Sequence, residues 1–263
     1  MALIVGGKVY ETPFPSRNWR DAASLRLAPE DRGRRARRGE VWSPVQIITI
    51  HNTGNLLGPI LPGTGPNSSR EENTVSYWTT KKAGASAHMI LDYDGVWAQC
   101  ADLWSEITWH ATTLNPRSIG LEIVQRASSP NLGGMYEIQL QRVVEFCNWF
   151  MRLPPEISVV QPQYPAETGM VERIHAGGVD FYGVCGHCHQ TTEKKRDPGP
   201  AVFAALKAAN YKAWNVAEGE DRQQWTRRQT ALGVKADGLP GENTRRALMV
   251  AGYPDGLAWG SSW

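Results

Sequence analysis

Between Gly183 and Pro200 the chain reads Gly-Val-Cys-Gly-His-Cys-His-Gln-Thr-Thr-Glu-Lys-Lys-Arg-Asp-Pro-Gly-Pro, and here its reactive groups are most concentrated. Histidines, thiols, lysines and an aspartate follow a largely apolar run, Val179 to Tyr182, and end at a Pro-Gly-Pro breaker. The stretch therefore reads as a strand end entering a long loop, and a loop can fold back to bring such groups together. Three chemistries compete. Cys185 and Cys188 could be a redox pair; Cys185, Cys188 and His189 could form a structural zinc knot; His187 and Asp197, with Lys195 beside them, could belong to a catalytic metal site.

Cys185-Gly186-His187-Cys188 matches the active-site motif of protein disulfide isomerases letter for letter. In that setting the first thiol needs a helix N-terminus to lower its pKa. Here Gln190-Thr191-Thr192 are poor helix formers, Pro198 and Pro200 close the window, and Val184 stands where those enzymes carry Trp. The zinc knot lacks a second ligand pair, because Cys100 and Cys147 are single and far apart in sequence. The catalytic metal site needs a third ligand from elsewhere and an open position for water.

The elements that would position such a site come earlier. Val45-Gln46-Ile47-Ile48-Thr49-Ile50 is a β-branched run, hence a buried strand, ending in His51-Asn52-Thr53-Gly54 at a sheet rim. Ala87 to Leu91 and Val96 to Gln99 flank Asp92-Tyr93-Asp94-Gly95, the pattern of a hairpin. Trp109-His110-Ala111 falls in a loop, and Ser118 to Val124 is a strand with Glu122 inside an apolar run, where a charge needs a partner or a cavity. Thr74 to Lys82 predicts a short helix, and Ala201 to Ala213 another. Leu140, Val143, Val144, Cys147 and Met151 recur at helical spacing and predict one amphipathic helix over 136–153. Strands interspersed with helices argue an α/β domain with a mixed central sheet flanked by helices.

Residues 1–40 read as an irregular extension ending in a basic run, Arg32 to Arg38, expected to be a solvated loop. The α/β domain is expected over 41–214 and a polar linker over 215–221. A small helical unit is expected over 222–263, with Arg222–Leu232 and Glu242–Val250 as helices. The 263 residues are 41% apolar with a net charge of +2, so neither a membrane span nor a nucleic-acid partner is expected. Four cysteines make no disulfide framework, and the N-terminal apolar run is too short for a signal peptide. Synthesis in a cytoplasm is the expectation. Most of the eleven tryptophans are expected to serve packing.

Taken in order, the pieces resemble the zinc-dependent N-acetylmuramoyl-L-alanine amidases of type 2, over roughly residues 40 to 212. Ile48-Thr49-Ile50-His51-Asn52-Thr53 resembles the first ligand strand, and Ser86-Ala87-His88-Met89-Ile90 through Asp94-Gly95 the hairpin. Trp109-His110-Ala111 and Ser118-Ile119-Gly120-Leu121-Glu122 resemble groove segments. Gly186-His187 and Lys195-Arg196-Asp197-Pro198-Gly199-Pro200 resemble the closing loop. The resemblance implies Zn2+ held by His51, His187 and Asp197, with Glu122 as catalytic base, Lys195 as catalytic cation and His110 facing substrate. Some relatives use a hairpin tyrosine, where Ala87 stands here, and some end the ligand set with Cys, where Asp197 stands. The segment between Pro154 and Gly178 is longer than the family leads one to expect.

Gln229 to Val234, Ala236 to Gly241 and Thr244 to Leu248 resemble a three-helix peptidoglycan-binding domain, without a clear third helix and with Pro240 where an aromatic is common. The expected activity is hydrolysis of the bond between N-acetylmuramic acid and L-alanine, in a monomeric phage-type endolysin. Its partner would be polymeric peptidoglycan, reached after release by a holin-type route. A cytosolic muropeptide-recycling amidase and a non-catalytic recognition protein are the alternatives.

Overall fold

The computed structural model describes residues 1–38, 41–53, 70–81, 84–124, 135–166, 181–190, 197–214 and a few positions between 226 and 236. Lys195, the linker and nearly all of the 222–263 unit lie outside the described residues. Thr226 and Gln229–Ala231 are helical, and Gly233, at φ 67°, turns the chain after them. The chain divides into two compact units, residues 1–172 with 181–213, and 173–180 with 214–263.

The first unit is built on a six-stranded sheet of β1 (Ser16–Asn18), β2 (Ile47–Asn52), β3 (Met89–Leu91), β4 (Trp97–Gln99), β5 (Ser118–Ile123) and β6 (Gly183–Gly186). The spatial order is β6-β2-β5-β3-β4-β1. The first four run parallel, β3 and β4 form the antiparallel hairpin read from the sequence, and β1 pairs parallel to β4. The sheet is therefore mixed, as expected.

Alternation along the strands gives the sheet two different faces. Ile48, Ile50, Met89, Leu91, Ile119, Leu121, Ile123 and Val184 face one core. There they meet Val143, Phe146 and Phe150 of α2 (Glu137–Met151) and Val202 and Leu206 of the helix Pro200–Ala208. On the opposite face Ile90, Ala98 and Cys100 pack with Val75 and Trp78 of α1 (Arg70–Lys81). Thr49, His51, Gly120 and Glu122 belong by alternation to this second face. Fully buried Gln139 bolts α2 to the strand ends, donating to the Val124 carbonyl at 2.9 Å while accepting from the Tyr136 N–H at 2.9 Å. Among the described residues no helix is long and apolar enough to cross a membrane.

Two expectations need correction. Residues 1–40 are not irregular: Ala2–Val5 and Lys8–Glu11 pair as a hairpin, Ser16–Asn18 joins the central sheet, and Arg32–Arg34 pairs with Glu106–Thr108. The Arg32–Arg38 run is not simply solvated either. Arg35 is 2% exposed, its guanidinium donating to the carbonyls of Trp104, Pro116, Glu106 and Ser118. Arg32 and Arg26 both pair with Glu106. A guanidinium offers five donors in a rigid fork, enough to staple several chain segments at once.

His88 links this staple to the sheet. Its Nδ1 accepts from the Gly120 N–H at 3.0 Å and lies 2.9 Å from the Thr108 hydroxyl, so Nε2 carries the proton and donates to the Glu106 carbonyl at 3.2 Å. Burial, then the nearby Arg35 charge, pushes His88 down from 6.5 to about 3. A depressed histidine contributes stability that is present above its unfolded value and is lost as pH falls toward its folded value. Wild-type unfolding free energy should therefore fall between pH 6.5 and about 3, with this one site contributing about 1.4 kcal/mol per pH unit. In His88→Asn that component of the slope should vanish in denaturant titrations at stepped pH; an unchanged slope would contradict the assignment.

Candidate metal centre

The parallel pairing of β2 sets the site. Its register puts His51 opposite Glu122 of β5, and Ile50 opposite Gly186 of β6, so His187 follows at the level of His51. His187 opens the single helical turn α3 (His187–Gln190). Asp197 returns from the loop, fixed by the Cys188 N–H donating to its carbonyl at 3.1 Å and the Asn52 side chain donating to the Pro198 carbonyl at 3.3 Å. That close return needs a glycine at 186, where a Cβ would sit 2.4 Å from Pro198 Cδ.

One group of three donors able to hold a metal converges among the described residues: His51, His187 and Asp197, with one ligand atom from each mutually within 4.8 Å. Asp197 Oδ2 lies 3.3 Å from His51 Nδ1 and 3.3 Å from His187 Nδ1. Donors about 2.0–2.2 Å from a tetrahedral ion are themselves roughly 3.3–3.6 Å apart, so this spacing fits a metal. Two imidazoles and one carboxylate are a donor set that suits zinc. Burial alone would raise the Asp197 carboxyl, but hydrogen bonds from His187 and His51 outweigh it and hold the group well below the usual range.

Glu122 stands beside the triad. Desolvation, then the charge of Asp197, pushes its carboxyl up to about 8. A carboxyl held this high takes up a proton near neutrality, and a cation at the triad would draw it back down.

His110 lies against the same face. Asn115 Oδ1 accepts from the N–H groups of His110 and Ala111, and the ring rests on Gly120, where a Cβ would meet its Cγ at 2.6 Å. The ring stands edge-on to His51 at 5.6 Å and to His88 at 5.9 Å. Buried Ser118 donates its hydroxyl proton to the Leu114 carbonyl at 2.8 Å, so Oγ can only accept from His110 Nε2, 3.2 Å away. One hydroxyl has one proton. His110 is thus the Nε2–H tautomer; burial and then His51 hold it well below its ordinary value, leaving Nδ1 as an enclosed lone pair.

The thiols take no part in the convergence. Burial pushes Cys185 up to about 12 and Cys188 up to about 11, the reverse of what redox or zinc-knot thiolates require. Cys185 lies on a strand, not at a helix N-terminus, and His189 Nδ1 accepts from the Gly186 N–H at 3.2 Å. Lys195 lies outside the described residues. Sequence reading placed Gly120, Gly186 and Ser118 within its motifs but assigned them no role; a glycine between Ser118 and Glu122 was an available sign of close approach.

The N-acetylmuramoyl-L-alanine amidase family, Amidase_2, matches residues 41–200, more than half of the chain and the span that contains every residue of the triad. The chain belongs to this family. Among solved structures, the chain is similar to a selenomethionine derivative of AmpD, at 18% identity and a TM-score of 0.44, covering 79% of this chain and 98% of that one. It is also similar to Drosophila peptidoglycan recognition protein SD, at 12% identity and a TM-score of 0.48, covering 76% and 97%. The N-acetylmuramoyl-L-alanine amidase LysC of Clostridium intestinale matches at 14% identity and a TM-score of 0.36, covering 64% and 86%. No curated protein matches the chain.

The histidine tautomer can be read directly. In 15N-labelled protein, His110 should show an unprotonated Nδ1 and a protonated Nε2, and Ser118→Ala should shift that population toward the Nδ1–H form. A protonated Nδ1 in the wild type would contradict the hydrogen-bond assignment.

Proposed function

We propose that this chain cleaves the amide between N-acetylmuramic acid and L-alanine in peptidoglycan, with zinc held by His51, His187 and Asp197. The observation that carries this reading is the convergence of those three side chains beside Glu122, inside the span matched by the amidase family. Zinc bound there supplies Lewis acidity to water and to a carbonyl oxygen. Glu122 takes the proton from the attacking water and passes it to the leaving amine of L-alanine, a task suited to a carboxyl poised near neutrality. Lys195, two residues before Asp197, is assigned the fixed positive charge that stabilises the oxyanion. His110, at the floor of the same face, is assigned to substrate contact.

The finer proposal is a lytic, endolysin-type role on polymeric wall, resting on the C-terminal sequence resemblance and on the separate compact unit that contains residues 214–263. Binding there would tether the active site to an insoluble polymer and raise the local concentration of cleavable bonds. A recycling enzyme acting on soluble muropeptides gains nothing from such a tether.

One assay series tests both levels. Sacculi digested by the wild type should yield new L-alanine amines by mass spectrometry, and chelator should abolish them; new reducing sugars would sink the amidase reading. Glu122→Gln should retain metal while kcat falls by roughly 10²–10⁴. A chain ending at Asn215 should cleave soluble muropeptide at close to the full rate but pellet poorly with sacculi and lyse them slowly. Undiminished pelleting and lysis would favour the recycling enzyme.

A further inference from the structure

The Cys-Gly-His-Cys stretch leaves one cluster that neither redox nor metal ligation uses. Gln190 Nε2 donates to Thr49 Oγ1 at 2.7 Å, and the same amide lies 3.6 Å from Cys185 Sγ. Cys185 Sγ is in turn 3.7 Å from Thr49 Oγ1. Thr49 and Cys185 are both fully buried, and they face each other across the β2–β6 pair in register. The Gln190 amide has two hydrogens, one for Thr49 and one for Cys185, and either the Thr49 hydroxyl or the Cys185 thiol can donate in the contact between them.

The two ends of the short bond sit on the two elements that carry the histidine ligands. Thr49 is two residues before His51 and so on the same face of β2. Gln190 is three residues after His187, one helical turn along α3. His187 follows the last paired residue of β6 directly, so the ladder hydrogen bonds stop before they reach it. Other α3 contacts are Gly186 N–H to His189, Cys188 N–H to the Asp197 carbonyl, His187 to the Asp197 carboxylate, His189 against Phe203 of the helix Pro200–Ala208, and the His187 ring edge-on to His51 at 5.0 Å. Among the described residues, the Gln190–Thr49 bond is the side-chain hydrogen bond that ties the α3 turn straight to the strand bearing His51.

We infer that Gln190 and Thr49 are positioning residues of the metal centre, their bond setting the separation of His51 and His187 before a metal arrives. Cys185 serves as the soft wall of that cluster and never as a ligand. The inference rests on the metal reading of the triad, and goes beyond it by naming what pre-sets the spacing. Groups that orient ligands typically change metal affinity by roughly 10–100-fold when removed. Two residues acting through one bond are non-additive, so removing both should cost little more than removing either.

The test uses the full chain and zinc or cobalt(II) as probes. Gln190→Leu and Thr49→Val should each weaken zinc binding by roughly 10–100-fold in chelator competition. The double variant should match the singles, and Thr49→Ser, which keeps the hydroxyl, should restore wild-type affinity. The visible spectrum of the cobalt(II)-loaded protein should change in Gln190→Leu and in Thr49→Val but match the wild type in Thr49→Ser, which a general loss of packing would not do. Melting of the metal-free protein controls for folding, and Gln190, being only partly buried, should tolerate leucine. Wild-type zinc affinity and an unchanged cobalt spectrum in both single variants would overturn the inference while leaving the triad intact. Additive losses in the double variant would also overturn it. Failure of the wild type to bind either metal would sink the triad reading and this inference with it.

Discussion

The register of β2 between its two parallel neighbours is the constraint on which the site depends. Opposite His51 stands Glu122, and opposite Ile50 stands Gly186, one residue before His187. A slip of one residue in either pair would turn the functional side chains into the α2 core, because strand side chains alternate faces. Ile48, Ile50, Leu121 and Ile123 resist that slip, since each would trade a buried position for the polar face. Packing on one side of the sheet thus secures chemistry on the other.

A second layer of buried polar groups works from beneath. Arg35 gathers four carbonyls, two of them at Pro116 and Ser118. Ser118 then fixes the ring of His110, while His88 holds Gly120 and Thr108. Apart from His110 Nδ1, these groups are satisfied by a neighbour and would be costly to leave unpaired. The floor of the site is therefore rigid for the same reason that it is polar. Asp197 reaches that floor from a distant loop only because Gly186 leaves room for Pro198.

Much of this was legible in the chain itself. The β-branched run before His51, the Asp-Gly hairpin and the helical spacing of Val143 and Cys147 predicted elements that the fold contains. The carboxylate of Glu122 within an apolar strand posed a question, and the fold places it opposite His51 on the polar face of the sheet. What pattern reading lost was long-range. The strands of the first forty residues are two to four residues long, too short to display a period, and Ser16–Asn18 and Arg32–Arg34 exist through pairing with distant partners. Arg35 looked like one of several solvated arginines because sequence does not reveal which carbonyls a fold will leave unpaired. Thr49 is one member of a β-branched run in the sequence, and its partners Gln190 and Cys185 are met only in the fold.

The central claim is that His51, His187 and Asp197, and not the thiols beside them, hold one metal ion. Elemental analysis of purified protein tests it most directly, comparing wild type with His51→Ala, Asp197→Ala, Cys185→Ser and Cys188→Ser. One zinc per chain should be present in the wild type and in both serine variants, and largely lost from both alanine variants. Full zinc in the alanine variants, with loss confined to the serine variants, would contradict the account.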